Sequence, residues 1–137
     1  MYSLLPVRGQ VIRRILVMDD YEDFRLLIKD AIEDFVGWYV YAVELGDEGL
    51  QIARNESWDI ILLDVAEPSI KPGMNGFQIY EHLRADPKTQ QIPLILMTTM
   101  RFPSNLRRLK ALQATDIIQK PFDFLSLIQR INAALES

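Results

Sequence analysis

The sequence predicts an α/β domain: a five-stranded, doubly wound parallel sheet in the order 2-1-3-4-5, with five helices. Apolar, β-rich runs alternate with segments of helical periodicity along the chain. One run, residues 59–64, holds four consecutive apolar residues without polar alternation, as in a strand buried on both faces. Right-handed crossovers leave few topologies for such an alternation, and this order puts the first and third strands side by side at the switch point.

Each element has its own signal. Residues 13–18 form an apolar run that stops at Asp19-Asp20. Phe24, Leu27, Ile28, Ala31, Ile32 and Phe35 then recur at helical spacing among charged residues, up to Gly37. Residues 38–43 are aromatic and β-branched, a second strand, and residues 46–54 make a short helix. The central strand ends at Asp64. Residues 65–75 contain Pro68, Pro72 and Gly73 and read as a loop. Residues 76–84 resume helical spacing until Asp86-Pro87. Residues 93–97 are a fourth strand reaching Thr98-Thr99, and residues 104–112 a helix with a basic face of Arg107, Arg108 and Lys110. Residues 115–118 are a fifth strand before Lys120-Pro121, and Asp123 can cap the last helix.

Composition narrows the chemistry. The chain has 137 residues, enough for one domain, divided here into an N-terminal extension (1–12) and the domain proper (13–137). It is 49% hydrophobic and 25% charged, the balance of a soluble globular protein, and a net charge of −4 gives no general reason to expect nucleic-acid binding. Without cysteine there is no disulfide or thiolate site, and the single histidine, His82, excludes multi-histidine metal centres. No apolar run approaches a membrane span and no signal-peptide core opens the chain, so a cytoplasmic protein is expected. Trp38, Trp58 and the tyrosines read as packing residues, and His82 as structural.

The predicted strands end in polar residues on one edge: Asp19-Asp20, Asp64, Thr98-Thr99 and Lys120. Ligands of open α/β sheets bind beyond this carboxyl edge. Three carboxylates crowded there would repel one another and call for a hard cation such as Mg2+. Lys120 is a point charge able to pair with a carboxylate or phosphoryl oxygen, and Thr98 offers a small hydroxyl. An aspartate in such a setting can carry a phosphoryl group covalently. Asp19-Asp20 could instead cap the first helix.

With these pieces assembled, the chain resembles the receiver domain of two-component response regulators. The likeness rests on residues 15–20, residues 59–64 with Pro68 four on, Met74-Asn75-Gly76, Ile92-Pro93 leading to Thr98, and Lys120-Pro121-Phe122. It implies a flavodoxin-like fold and a signalling switch, not an enzyme. By resemblance, Asp64 is the phosphoacceptor, served by a histidine kinase, a phosphotransfer protein or a small phosphodonor. Asp20 is a direct magnesium ligand, Asp19 acts through a metal-bound water, and the Ala66 backbone carbonyl completes the metal site. Thr98 is the switch hydroxyl and Lys120 its partner, while Pro121 often follows a cis bond. The fourth helix, fifth strand and fifth helix would form the signalling surface for a downstream protein or a homodimer, where the basic stripe Arg101, Arg107, Arg108 and Lys110 is either an ordinary solvated face or sets partner choice. Neither nucleic acid nor membrane is expected as a direct partner.

The chain also departs from the family pattern. Ile117 stands where an aromatic switch residue is usual, so ring flipping cannot be the readout. The loop after Asp64 is about four residues longer than usual, through Ser69, Ile70, Lys71 and Pro72, and either gates the site or is a tolerated insertion. Ala66 and Met100 are apolar where polar residues often influence hydrolysis, which predicts slow loss of phosphate. Two other classes compete: a receiver-like binding module that takes no phosphate, and an aspartate-nucleophile phosphatase, which Ala66 disfavours because that class wants an acid there. A starting methionine and two residues after Leu135 lean toward a stand-alone receiver.

Overall fold

A computed structural model describes residues 11–66, 73–100 and 103–136, with the backbone alone for residues 103–106. Most of the extension expected at 1–12, the loop residues Ser69, Ile70, Lys71 and Pro72, and Arg101 lie outside the described residues.

The elements run β1 (Arg14–Met18), α1 (Glu22–Phe35), β2 (Tyr39–Val43), α2 (Asp47–Asn55), β3 (Ile60–Asp64), α3 (Gly76–Ala85), β4 (Leu94–Thr98), α4 (Pro103–Lys110), β5 (Asp116–Gln119) and α5 (Phe124–Glu136). The five strands form one parallel sheet in the order β2-β1-β3-β4-β5, as the alternation predicts.

Because side chains alternate across a strand, the apolar runs supply two cores at once. Ile15, Val17, Ile60, Leu62, Ile95, Met97 and Ile118 face α1 and α5, meeting Ile28, Ile32, Leu127 and Ile131. Leu16, Met18, Ile61, Leu63, Leu94 and Leu96 face the other way, against Phe77, Ile79, Leu83 and Leu109. No buried side-chain nitrogen or oxygen among the described residues lacks a hydrogen-bond partner.

The helix ends follow local rules. Val36 and Gly37 both donate to the Ile32 carbonyl, with Gly37 at φ 79°, which closes α1 where the glycine predicts. Asn75 and Gln78 form a reciprocal capping box at the start of α3. Ser126 N–H donates to Asp123 Oδ1 at 2.8 Å, so Asp123 bonds the first turn of α5. The α4 helix stops at Lys110, two residues before the expected end. Leu112 and Gln113 there bond three residues back and Gln113 adopts φ 57°, conformations that leave the α-helix. The aromatics pack: Trp58 donates to the Ile52 carbonyl and stacks on Tyr39, and the Arg14 guanidinium lies over both rings. No helix among the described residues is long and apolar enough to cross a membrane.

Candidate functional site

Strand register assembles the polar edge. Met18 is level with Leu63, so Asp19 follows at the height of Asp64. Thr98 is level with Gln119, and Lys120 N–H donates to the Thr98 carbonyl at 2.7 Å, which fixes the lysine just beyond the same edge. The Lys120–Pro121 peptide is cis. Close packing shapes the floor: a Cβ on Gly76 would overlap the Asp64 carbonyl oxygen and stand 3.0 Å from Val65 Cα. The first turn of α3 can therefore lie directly on the end of β3 only because residue 76 is glycine.

Lys120 Nζ donates to Asp19 Oδ2 at 2.7 Å and to Asp64 Oδ1 at 3.2 Å, bridging acids from β1 and β3. All three groups are buried, with side-chain exposures of 0% for Asp19, 7% for Asp64 and 10% for Lys120. Burial first, and then the charge on Asp19, raise the Asp64 carboxyl against the opposing pull of Lys120, and the balance takes it from 3.8 to about 6. The ammonium also lies 4.1 Å from the centroid of the Phe24 ring.

The third acid is placed differently. Asp20 is exposed, and its Oδ1 accepts from Leu45 N–H at 3.2 Å. It repels Asp64 less than Asp19 does. Among the described residues no group of three or more His, Cys, Asp or Glu converges as a metal cage. The crowding expected of three carboxylates is thus strongest in the buried Asp19–Asp64 pair, with the exposed Asp20 adding a smaller repulsion. Asp19 also accepts from Tyr21 N–H at 2.8 Å, while Tyr21, the residue at the α1 N-cap, makes no side-chain capping bond. The helix-capping alternative therefore accounts for neither acid fully.

Thr98 is fully buried, and its Oγ1 accepts from Met100 N–H at 3.0 Å; Thr99 is exposed. The Met100 carbonyl accepts from Gln119 Nε2 at 2.9 Å, tying the segment after β4 to the end of β5. Ala66 is exposed beside the acid edge. Ile117 is half-buried in the α2–α4 side core. Arg107, Arg108 and Lys110 are exposed, and the Arg108 guanidinium lies 3.8 Å from the Phe77 ring centroid. His82 lies away from the edge, lining a cleft between α2 and α3 with Arg54 and Asp86.

Sequence reasoning missed three participants: Phe24, Gly76 and Gln119. Phe24 was legible only as one apolar residue of the α1 stripe, and Gly76 only as part of the Met74-Asn75-Gly76 piece of the likeness, without its packing role. Nothing in the sequence marks Gln119.

The arrangement defines a class of protein: a doubly wound single sheet whose carboxyl edge sets acids of the first and third strands against a lysine following the fifth. A family model described as the response regulator receiver domain matches residues 15–132. Protein PilH of Pseudomonas aeruginosa is 34% identical over 122 residues, covering 89% of this chain and 97% of its own. Response regulator PleD of Caulobacter vibrioides is 35% identical over 123 residues, 88% of this chain but 25% of PleD. The structure of chemotaxis response regulator CheY4 of Vibrio cholerae superposes with a TM-score of 0.75 at 27% identity, covering 88% of this chain and 99% of that one. The chain belongs to the receiver-domain family of two-component response regulators.

Proposed function

We propose that this receiver is a phosphorylation-dependent switch that takes a phosphoryl group on Asp64 from a histidine kinase, a phosphotransfer protein or a small phosphodonor. The observation that carries the reading is the buried bridge from Lys120 to Asp19 and Asp64 at the carboxyl edge of the sheet.

An Asp64 carboxylate oxygen forms the new bond to phosphorus as the bond from phosphorus to the donor breaks, its electron pair leaving with the donor. With its carboxyl near 6, Asp64 is mostly ionised at neutral pH and competent as nucleophile. Lys120 is within reach to pair with a phosphoryl oxygen in place of the carboxylate. The Thr98 hydroxyl is a second donor, once it turns from its bond with Met100 N–H.

The Asp19, Asp20 and Asp64 carboxylates and the Ala66 backbone carbonyl would hold Mg2+. The donor set fits: the atoms are hard oxygens, magnesium is commonly held through one or two carboxylates and waters, and a cation would relieve the repulsion that raises Asp64. When bound, the ion supplies neutralisation of charge on the phosphoryl oxygens.

Phosphorylation then biases a two-state equilibrium and alters the surface of α4, β5 and α5. With Ile117 in place of an aromatic, movement of the segment after Thr98 is the readout. The exposed Arg107, Arg108 and Lys110 suit an acidic protein partner or a second copy of the chain.

The test is intact mass after incubation with acetyl phosphate, with and without magnesium, alongside Asp64→Asn. One phosphate on the original chain, dependent on magnesium and absent from the variant, is expected. No uptake from acetyl phosphate or from a histidine-kinase donor would leave a phosphate-independent binding module. The apolar Ala66 and Met100 offer no group to orient an attacking water, so the aspartyl phosphate is expected to decay slowly once the donor is removed. A lifetime of seconds contradicts this.

A further inference from the structure

The Lys120 ammonium has a neighbour besides the two carboxylates. Its Nζ lies 4.1 Å from the centroid of the Phe24 ring, in the first turn of α1. The face of an aromatic ring carries negative potential, so it attracts an ammonium, most strongly where water is excluded. Lys120 meets that condition, with a side-chain exposure of 10%. The ring is itself braced: Phe24 and Phe122 meet edge to face, with centroids 5.7 Å apart and planes at 84°. Phe122 follows Lys120 by two residues, so the segment that carries the lysine packs against the ring that faces its ammonium.

We propose that Phe24 is a positioning residue for Lys120, its ring face holding the ammonium against the Asp64 carboxylate where a phosphoryl oxygen is to be met. The proposal rests on the phosphoacceptor reading of Asp64. Lysine has a flexible four-carbon stem and a compact charge, and an uncharged ring face against the ammonium helps hold it in place without adding a charge that would compete for the phosphoryl group. An aliphatic residue at position 24 would exclude the same water but present no negative face. Phosphoryl uptake therefore depends on the electron density of the ring as well as its bulk.

The test replaces Phe24 in the full chain with phenylalanines bearing one, two and three ring fluorines, which withdraw negative potential from the face stepwise at nearly constant size. Phe24→Leu and Phe24→Tyr accompany them, and melting temperature confirms that each variant folds. The initial rate of Asp64 phosphorylation by acetyl phosphate with magnesium is expected to fall with each fluorine, to about tenfold below the original at three fluorines and in Phe24→Leu, while Phe24→Tyr keeps its rate. A second readout needs no phosphate: the ring current of Phe24 shifts the Lys120 ε-methylene protons upfield, and Phe24→Leu abolishes the shift. A flat rate across the fluorine series in a protein that accepts phosphate, or unshifted ε-methylene protons in the original chain, overturns the proposal. Failure of the original chain to take phosphate overturns the phosphoacceptor reading instead, and the proton shift then decides the Phe24–Lys120 contact by itself.

Discussion

Opposing influences meet on the carboxyl group of Asp64. Burial and the charge of Asp19 favour its protonated form, Lys120 favours the ionised one, and the balance leaves it near 6. The unfolded chain ionises this group near 3.8, so the native state binds its proton more tightly. The stabilisation is therefore fully present below the unfolded value and is lost as pH rises from about 3.8 to about 6. In magnesium-free buffer the Asp64-linked part of the unfolding free energy should fall by up to about 3 kcal/mol across that window. Urea titrations at several pH values check this, because Asp64→Asn should remove that component and be the more stable protein at neutral pH. A variant less stable at pH 7 would contradict it.

Among the elements, α3 shows how a helix start serves a strand end. Asn75 and Gln78 cap the helix reciprocally, and Gly76 lets its backbone lie on Asp64 and Val65. Replacing Asn75 with alanine should lower stability by about 1 kcal/mol through the lost cap, with the acid edge intact, as a thermal melt would show. Replacing Gly76 with alanine sets a methyl against backbone that has no rotamer to yield. It should cost about 3 kcal/mol and disturb phosphoryl uptake as well, because the displaced atoms belong to the residue carrying the acceptor. A Gly76→Ala variant as stable as the original would show that α3 can lift off β3 freely.

Across the whole molecule, Lys120 ties β5 to β1 and β3 over sequence separations of 101 and 56 residues. Removing one partner of a buried ion pair leaves a charge without compensation. Lys120→Ala should lose about 3 kcal/mol at pH 7, with the loss shrinking in acid as the Asp64 carboxyl takes up its proton. An equal loss at both pH values, by urea unfolding, would point to packing of the aliphatic stem instead.

The division between sequence and tertiary structure follows from the range of the forces involved. Periodicity, the unbroken apolar run of residues 59–64 and the glycine and proline breaks are local signals. Together with the handedness of crossovers they determined five strands, five helices and the order 2-1-3-4-5. They also determined which polar residues reach the carboxyl edge, because a strand that ends in Asp19, Asp64 or Thr98 delivers that residue to the edge whatever packs around it. Only the tertiary structure decided that Asp19 is buried against Lys120 while Asp20 turns outward to Leu45, since two adjacent acids are alike in sequence until a neighbouring strand covers one of them. It also decided that Phe24 faces an ammonium and that Gly76 touches the acceptor strand. Those contacts join residues far apart in the chain, and their energy exists only once the sheet has brought them together.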